Sequence, residues 1–428
     1  MPSSGYRGRD FRLLWGGETV SEVGSQVSLL ALPLVAVTTL NATVFQVGLL
    51  TASQTAAFLL VGLPAGAWVD RLRHRPVMIV ADVGRAFAFG SIPAAAAWGS
   101  LTMVQLYVVA LVCGVLTVFF DVAYQSILPS LVGRDGLVAA NARLGGSQEV
   151  AHVAGPSLAG WLVQLVGAPY AVAVDAGSFL VSGAAIGAID TDQAPPARAG
   201  PRRGALRREI MEGLRFVLGH RTLRAIAGTT STANLFGSVV AAVQIVFLVR
   251  VVHLHSGEIG LLLAGGSVGG VLGALVASPL ARVFGSAKTT IGAIVVSSLG
   301  VYLYPLARPG PWVALFSVGF FLEGFGAVVY NVNQVSFRQA LCPPELLGRM
   351  NATMRFIVWG TMPLGGLLGG VLGGAIGIRP TMWLAAAGAT TAVVWLLASP
   401  MRSVRDYHVE PGDFAGDVVA LEEPDPLR

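Results

Sequence analysis

Along most of the chain the apolar residues neither alternate with polar ones nor recur at every third or fourth position. They run on and then stop at Gly, Pro, Asn or a cluster of Arg. A bilayer's hydrocarbon core takes about 20 residues of helix. No backbone polar group can stay unpaired inside it, so each run predicts a membrane-crossing helix. Twelve runs qualify, centred near Val27, Phe58, Phe87, Cys113, Pro156, Phe179, Gly237, Gly269, Val295, Phe321, Gly366 and Ala389. The first is read as a span rather than a removable leader, because Glu18 and Glu22 interrupt it and no small-residue cleavage site follows.

The polar residues between the runs set the expected orientation. With both ends of the chain in the cytoplasm, 24 of the 28 Lys and Arg fall inside. Arg250, Arg308 and Arg379 fall outside, and Arg85 lies within a span. A missed span would scatter basic loops over both sides, so the bias supports an even count. The expected location is the inner (plasma) membrane, crossed many times.

Composition agrees. Of 428 residues, 54% are hydrophobic and 12% charged, and mean hydropathy is +0.70. Soluble chains carry roughly 25% charged residues, so too little charge is present to coat a water-soluble surface. The excess of 28 Lys and Arg over 23 Asp and Glu does not imply nucleic acid, because the cations sit in short clusters between apolar runs. Two cysteines, Cys113 and Cys342, exclude a disulfide framework and a cysteine-based metal site. No cofactor or metal is expected.

The chain divides into related halves. A shift of 210 residues places Asn141-Ala142 on Asn351-Ala352, and Gly155, Gly160 and Gly167 on Gly365, Gly370 and Gly377. Carrying six spans onto six spans means a parallel duplication. The expected fold is an all-α polytopic membrane protein with two pseudo-symmetric six-helix bundles, residues 1–189 and 222–399. A cytoplasmic linker, 190–221, joins them as a Pro-containing stretch followed by an amphipathic basic helix with Arg207, Arg208 and Arg215. That helix is expected to rest on anionic headgroups. An acidic tail, 400–428, reads as disordered and cytoplasmic.

Several phrases carry a family resemblance. The loop between the second and third runs, GAWVDRLRHR from Gly66 through Asp70 and Arg71 to Arg75, resembles the G-x-L-A-D-R-x-G-R-R loop of the major facilitator superfamily. Arg73 and His74 stand where that pattern has Gly and Arg. Gly155-Pro156-Ser-Leu-Ala159-Gly160 looks like the core of the antiporter motif, with Trp161 in place of its last Gly. The phrases FRLLWGGETVSEVG, VDAGSFL and GRMNATMR resemble the drug:proton antiporter branch that holds macrolide-efflux and siderophore exporters. This resemblance, from about Phe11 to Pro400, implies alternating access, with spans 1, 4, 7 and 10 lining a central cavity.

Ionisable groups inside a span need a partner or a water-filled cavity. At 1.5 Å per residue, Glu22 lies about 15 Å past Arg12, and Glu323 roughly 17 Å below the far end of its span. Both depths are near the midplane, and the resemblance places both in the cavity as proton-coupling or substrate groups. Glu18 and Gln26 continue the Glu22 stripe, and Asn234 and Asn331 could add neutral hydrogen bonds. Each of these polar groups has a plainer reading as interhelical bonding. On the cytoplasmic side, Asp70, Arg71 and Arg75 are expected to face Asp121 or the Asp82–Arg85 pair as an electrostatic latch. Glu149 and His152 share a helix face, and the role of Asp175 stays open.

Two patterns are decoys. Gly265-Gly-Ser267-Val-Gly269 matches a nucleophile elbow but lies in an apolar helix without strand-turn-helix context. No Walker A sequence occurs, which disfavours ATP-driven transport. No enzyme activity is expected. The reading is a secondary transporter, a monomer in the lipid bilayer, exporting a small amphipathic compound in exchange for protons. The alternative is a proton-coupled importer of a small nutrient on the same fold.

Overall fold

The computed structural model describes residues 8–69, 72–190, 205–343 and 346–403. Among these the secondary structure is helical, with no strand. In the first half, α1 (Arg9–Leu34) runs on into a π-helical turn, Val35–Thr39, and is followed by α2 (Val44–Val69) and α3 (His74–Ala97). Next come α4 (Met103–Val166) and α5 (Ala168–Gly187). A short α6 (Ala205–Gly219) precedes α7 (Arg221–Arg250), α8 (Ser256–Phe284), α9 (Ser286–Val301) and α10 (Ala314–Ala340). The chain ends through α11 (Leu347–Trp359), α12 (Thr361–Ala375), α13 (Ile378–Thr390) and α14 (Ala392–Leu397).

Eleven helical segments among the described residues are long and apolar enough to cross a membrane. The twelfth crossing is the second limb of α4. Gly133, at φ 68° and ψ 169°, breaks that 64-residue element into two helices. Helices α11 and α12 form one crossing, Leu347–Ala375, and α13 and α14 another, Ile378–Leu397. The layout is twelve helices in two bundles. Twelve crossings return the chain to the face where it began, the terminal face; the opposite one is the distal face.

The duplication is visible in the turns. Gly167 (φ 87°, ψ 151°) joins α4 to α5, and Gly377 (φ 91°, ψ 161°) joins α12 to α13. A backbone in that region strongly favours a residue without Cβ. The 210-residue repeat therefore places glycine at equivalent short distal turns, of one residue after α4 and two after α12.

Helix packing in lipid cannot draw on the hydrophobic effect as in water, so close backbone approach takes over. Phe87, Val112 and Trp161 are exposed on the outer surface, as lipid-facing side chains must be. Small residues face inward. On α12, Gly365 and Gly369 meet the α7 backbone at Leu235 and Val239, while Gly366 and Gly370 meet α2 at Ala52 and Gly48. On α8, Gly269 and Gly273 lie on the α10 backbone at Phe321 and Phe325.

The two halves are joined more tightly on one side than on the other. Distally, Gly48 lies on Gly370 and Val44 on Gly373, while Gly160 lies on Gly260 and Ser256. Arg250 adds a hydrogen bond to the Ala42 carbonyl, 2.8 Å. A single buried cluster there draws on both halves, from Val27–Val37 and Ala159 to Val239–Leu248 and Phe316. Toward the terminal face each half has its own core, around Phe11, Met78 and Ile127 in one and Leu223, Met350 and Leu396 in the other. The seam is shut distally, and the halves part toward the terminal face.

The linker helix α6 packs on α11 and α7, and Glu212 pairs with Arg349. The Pro-containing stretch before it lies outside the described residues, as do the Arg207 and Arg208 side chains and the tail from residue 404.

A Cβ at Gly160 would overlap the Ser256 carbonyl and the Gly260 backbone. Overpacking of this kind costs about 1–3 kcal/mol. Gly160→Leu is expected to lower the thermal midpoint in detergent. In a cysteine-free background it should also lengthen the distance between spin labels at Ser100 and Arg308. An unchanged midpoint together with an unchanged distance would show that the distal seam does not depend on this contact.

Candidate functional site

The residues singled out in the sequence gather in two cavities, one in each half. The first, of ≈350 Å3, is lined by Glu18, Glu22, Arg85, Asp121 and Asp175, with Phe89, Phe120 and Phe179. Its floor is α1. Glu22 and Gln26 are one turn apart, so the Gln26 amide donates to Glu22 at 3.1 Å. From the second limb of α4, His152 Nε2 comes within 3.6 Å of the same carboxylate. Glu149, one turn before His152, is exposed. His152 is thus directed to Glu22, a pairing the sequence did not disclose because it lies between helices.

Gly155 explains how the two helices come so close. A Cβ there would run into the Gln26 side chain. Pro156 and Ala159 follow on the same helix, and Gly160 faces the other half at α8. The GP-x-x-A-G segment therefore has two packing faces, one on the Glu22 helix and one on the distal seam.

The opposite wall is built around Arg85. It pairs with Asp82 three residues away, and both side chains are nearly inaccessible. Its guanidinium lies between the rings of Phe120 (4.5 Å) and Phe179 (4.2 Å). A cation cut off from water needs this combination of carboxylate and π-faces. Asp175 is 1% exposed and accepts a hydrogen bond from Ser178 Oγ, 3.1 Å. One Glu18 oxygen is buried with no hydrogen-bond partner among the described residues.

The second cavity, ≈460 Å3, lies in the other half, lined by Glu323, Asn234, Asn331, Thr230 and Tyr330 together with Phe236 and Met362. Tyr304 donates to Glu323 Oε2 at 2.8 Å from a stack of rings with Phe316. Asn234 donates to the Val358 carbonyl, 3.2 Å, and Gln334 to Asn331, 2.8 Å. Glu22 and Glu323 line different pockets of the described residues, one on the helices of each half. Each bundle packs its own helices around its own carboxylate.

The expected terminal-side latch falls only partly within the described residues. Asp70 and Arg71 lie outside the described residues, as do the surroundings of Gly66. Arg75 donates to the Ile186 carbonyl, 3.0 Å, and to that of Gly187, holding the end of α5 in its own half. Arg85 lines the first cavity with Asp82 buried behind it, both within the first half. The cation nearest Asp121 across the seam is Arg355 on α11, at 3.9 Å. By sequence alone Arg355 is one of the 24 orienting cations. Its four-residue spacing from Trp359 was the available signal, since that spacing stacks the two side chains on one helix face.

The comparisons with known proteins agree with this geometry. The family described as transmembrane secretion effector, within the major facilitator superfamily, matches residues 2–423. The chain is 27% identical over 366 residues to the multidrug efflux pump Tap of Mycolicibacterium fortuitum, covering 84% of this chain and 88% of that protein. It is 24% identical over 347 residues to the enterobactin exporter EntS of Citrobacter koseri, covering 80% of each. Among solved structures, a bacterial homologue of the iron transporter ferroportin in its inward-facing state matches with a TM-score of 0.73 at 16% identity. The match covers 91% of this chain and 98% of that one. The same homologue in its outward-facing state gives 0.61. With twelve helices in two bundles and a family match along nearly its whole length, the chain belongs to the transmembrane secretion effector family of major facilitator transporters.

Proposed function

We propose that this transporter exports small amphipathic cations in exchange for protons by alternating access, with the terminal face in the cytoplasm. The observation that carries the reading is the charge balance of the first cavity. Glu18, Glu22, Asp121 and Asp175 line it, and the one cation among its lining residues, Arg85, is already paired with Asp82. Such a pocket attracts cations, while Phe89, Phe120 and Phe179 supply apolar surface for the rest of an amphipathic molecule.

A carboxylate holding a cation must be ionised, so proton and substrate exclude each other at that group. Mutual exclusion at one site, exposed first to one side and then to the other, is the requirement for exchange. Glu22 suits the role because His152 and Gln26 both reach it, and His152 is a group through which a proton can pass. Glu323, bonded by Tyr304 in the other half, is kept as the substrate-side carboxylate of the second cavity. The names of the relatives, a multidrug efflux pump and an enterobactin exporter, support export over import. The parting of the halves toward the terminal face is then the inward-facing state.

Glu22→Gln keeps the hydrogen bond to Gln26 but fixes the neutral form. In proteoliposomes under a one-unit pH gradient, a driving force of about 1.4 kcal/mol per proton, it should abolish uphill transport of a lipophilic cation. Counterflow driven by a substrate gradient should persist. Uphill transport at the wild-type rate by a Glu22→Gln/Glu323→Gln double variant would place the coupling elsewhere, with Asp175 the next group to test.

Orientation has its own check. In a cysteine-free background, Ser100→Cys on the distal loop should react with a membrane-impermeant maleimide added to intact cells, and Arg402→Cys only after lysis. The reverse pattern would invert the cytoplasmic assignment and turn export into import.

A further inference from the structure

Asp121 stands at a junction. It lines the acidic cavity with Glu22 and Arg85, and it also lines a cleft of ≈390 Å3 between α2, α4 and α11 on the terminal side. Among the described residues it is the one that lines both. This carboxylate is thus presented to both spaces, and Arg355 faces it from the other half at 3.9 Å.

Arg355 is held by more than Asp121. Its guanidinium carbon lies 4.6 Å from the centre of the Trp359 ring and 5.7 Å from that of Phe58. The two rings meet edge to face across the seam, 4.4 Å apart. Both distances are within the range in which a cation is attracted to a π-face. The pair is nevertheless wet, with Arg355 42% and Asp121 37% exposed, and its separation is at the outer limit of an ion pair. Pairs of that kind are weak and readily exchanged.

The geometry points to a cation-recognition box, made of Asp121, Phe58 and Trp359, which Arg355 fills as a built-in competitor that an incoming organic cation must displace. This rests on the cation-export reading and adds a determinant of specificity to it. The exchange replaces one monocation by another, so Asp121 is not left uncompensated at any point. A neutral amphiphile has no charge with which to release Arg355, and an anion is repelled by Asp121. The favoured class is a weakly hydrated, delocalised monocation of the guanidinium, amidinium or arylphosphonium kind, which gains from the rings and loses little hydration. A compact inorganic cation keeps its water and gains little there.

The test is equilibrium dialysis of tetraphenylphosphonium against the purified full-length protein in detergent, with uncharged triphenylphosphine oxide as the matched neutral probe. Arg355→Gln removes the competitor from both the carboxylate and the rings, and should tighten phosphonium binding about tenfold. Affinity for the phosphine oxide should not change, whereas a mere shift in conformation would move both probes. Asp121→Asn should erase the gain when combined with Arg355→Gln. Should the Gln variant not fold, Arg355→Lys is expected to bind the phosphonium about threefold tighter than wild type, because an ammonium stacks poorly on Trp359. Equal or weaker phosphonium affinity in the variant, a parallel gain for the neutral probe, or a gain that survives Asp121→Asn overturns the box. If wild-type protein fails to drive the phosphonium uphill, the transport reading falls while the binding comparison still decides the box on its own terms.

Discussion

A polar group carried into a bilayer has no water to fall back on, and every ionisable residue here is placed by that requirement. Arg85 shows it most fully. A guanidinium in the middle of α3 would be a heavy cost alone, but Asp82 one turn away and the rings of Phe120 and Phe179 surround it. Those rings belong to α4 and α5, so solvating Arg85 also fixes how three helices of the first half sit together. The acidic cavity takes its shape from this packing. Glu18, Glu22 and Asp175 then face a space in which the one cation among the described lining residues is already engaged with Asp82.

The second constraint is how closely backbones can approach. Two packed cores with bulky faces would meet only through side chains that must reorganise when the halves move. Here the distal seam is backbone on backbone, at Gly48 with Gly370 and Gly160 with Gly260. Contacts of that kind gain dispersion energy over a smooth surface and carry few rotamers to reset. A seam can therefore be tight and still come apart as a unit. Farther toward the terminal face the contact changes character, to one loose ion pair and a crossing of two rings at Asp121–Arg355 and Phe58–Trp359.

Much of the fold was legible because the bilayer reduces it to one-dimensional rules. Uninterrupted apolar runs gave the crossings, and the Gly167–Gly377 repeat gave the duplication, later visible as two turns of matching backbone angles. The site was less legible. Glu18, Glu22, Gln26 and Glu323 could be picked out because an acid or amide in an apolar run stands out by itself. Their partners could not be. His152 pairs with Glu22 across 130 residues, and Tyr304 reaches Glu323 from beyond the end of α9. Arg355 was hidden for another reason: a cation near the end of a span looks like any orienting charge until the opposite helix is known. The separation into two cavities depends on how each bundle packs, which no periodicity encodes.

For the exchange proposed above, the decisive question is which groups change surroundings between the two states. A ligand can shift a two-state equilibrium only by as much as its affinity differs between the states. A group buried within one half, such as Asp82 with Arg85, sees nearly the same surroundings in both states and contributes little to that difference. Asp121 is different, because its partner Arg355 belongs to the other half and would be carried away in the proposed movement of the halves. His152 and Glu22 form an intermediate case. They lie in one half, but Ser267 of the other half donates a hydrogen bond to the His152 carbonyl at 2.6 Å, and Gly160 on the same helix sits in the distal seam. A change at Glu22 can therefore reach the seam through one helix limb, while a change at Asp121 acts on it directly. In the proposed exchange the second limb of α4 would link Glu22 to the seam, because His152 and Pro156 are one turn apart on it and Pro156 lies against Gly260 of the other half.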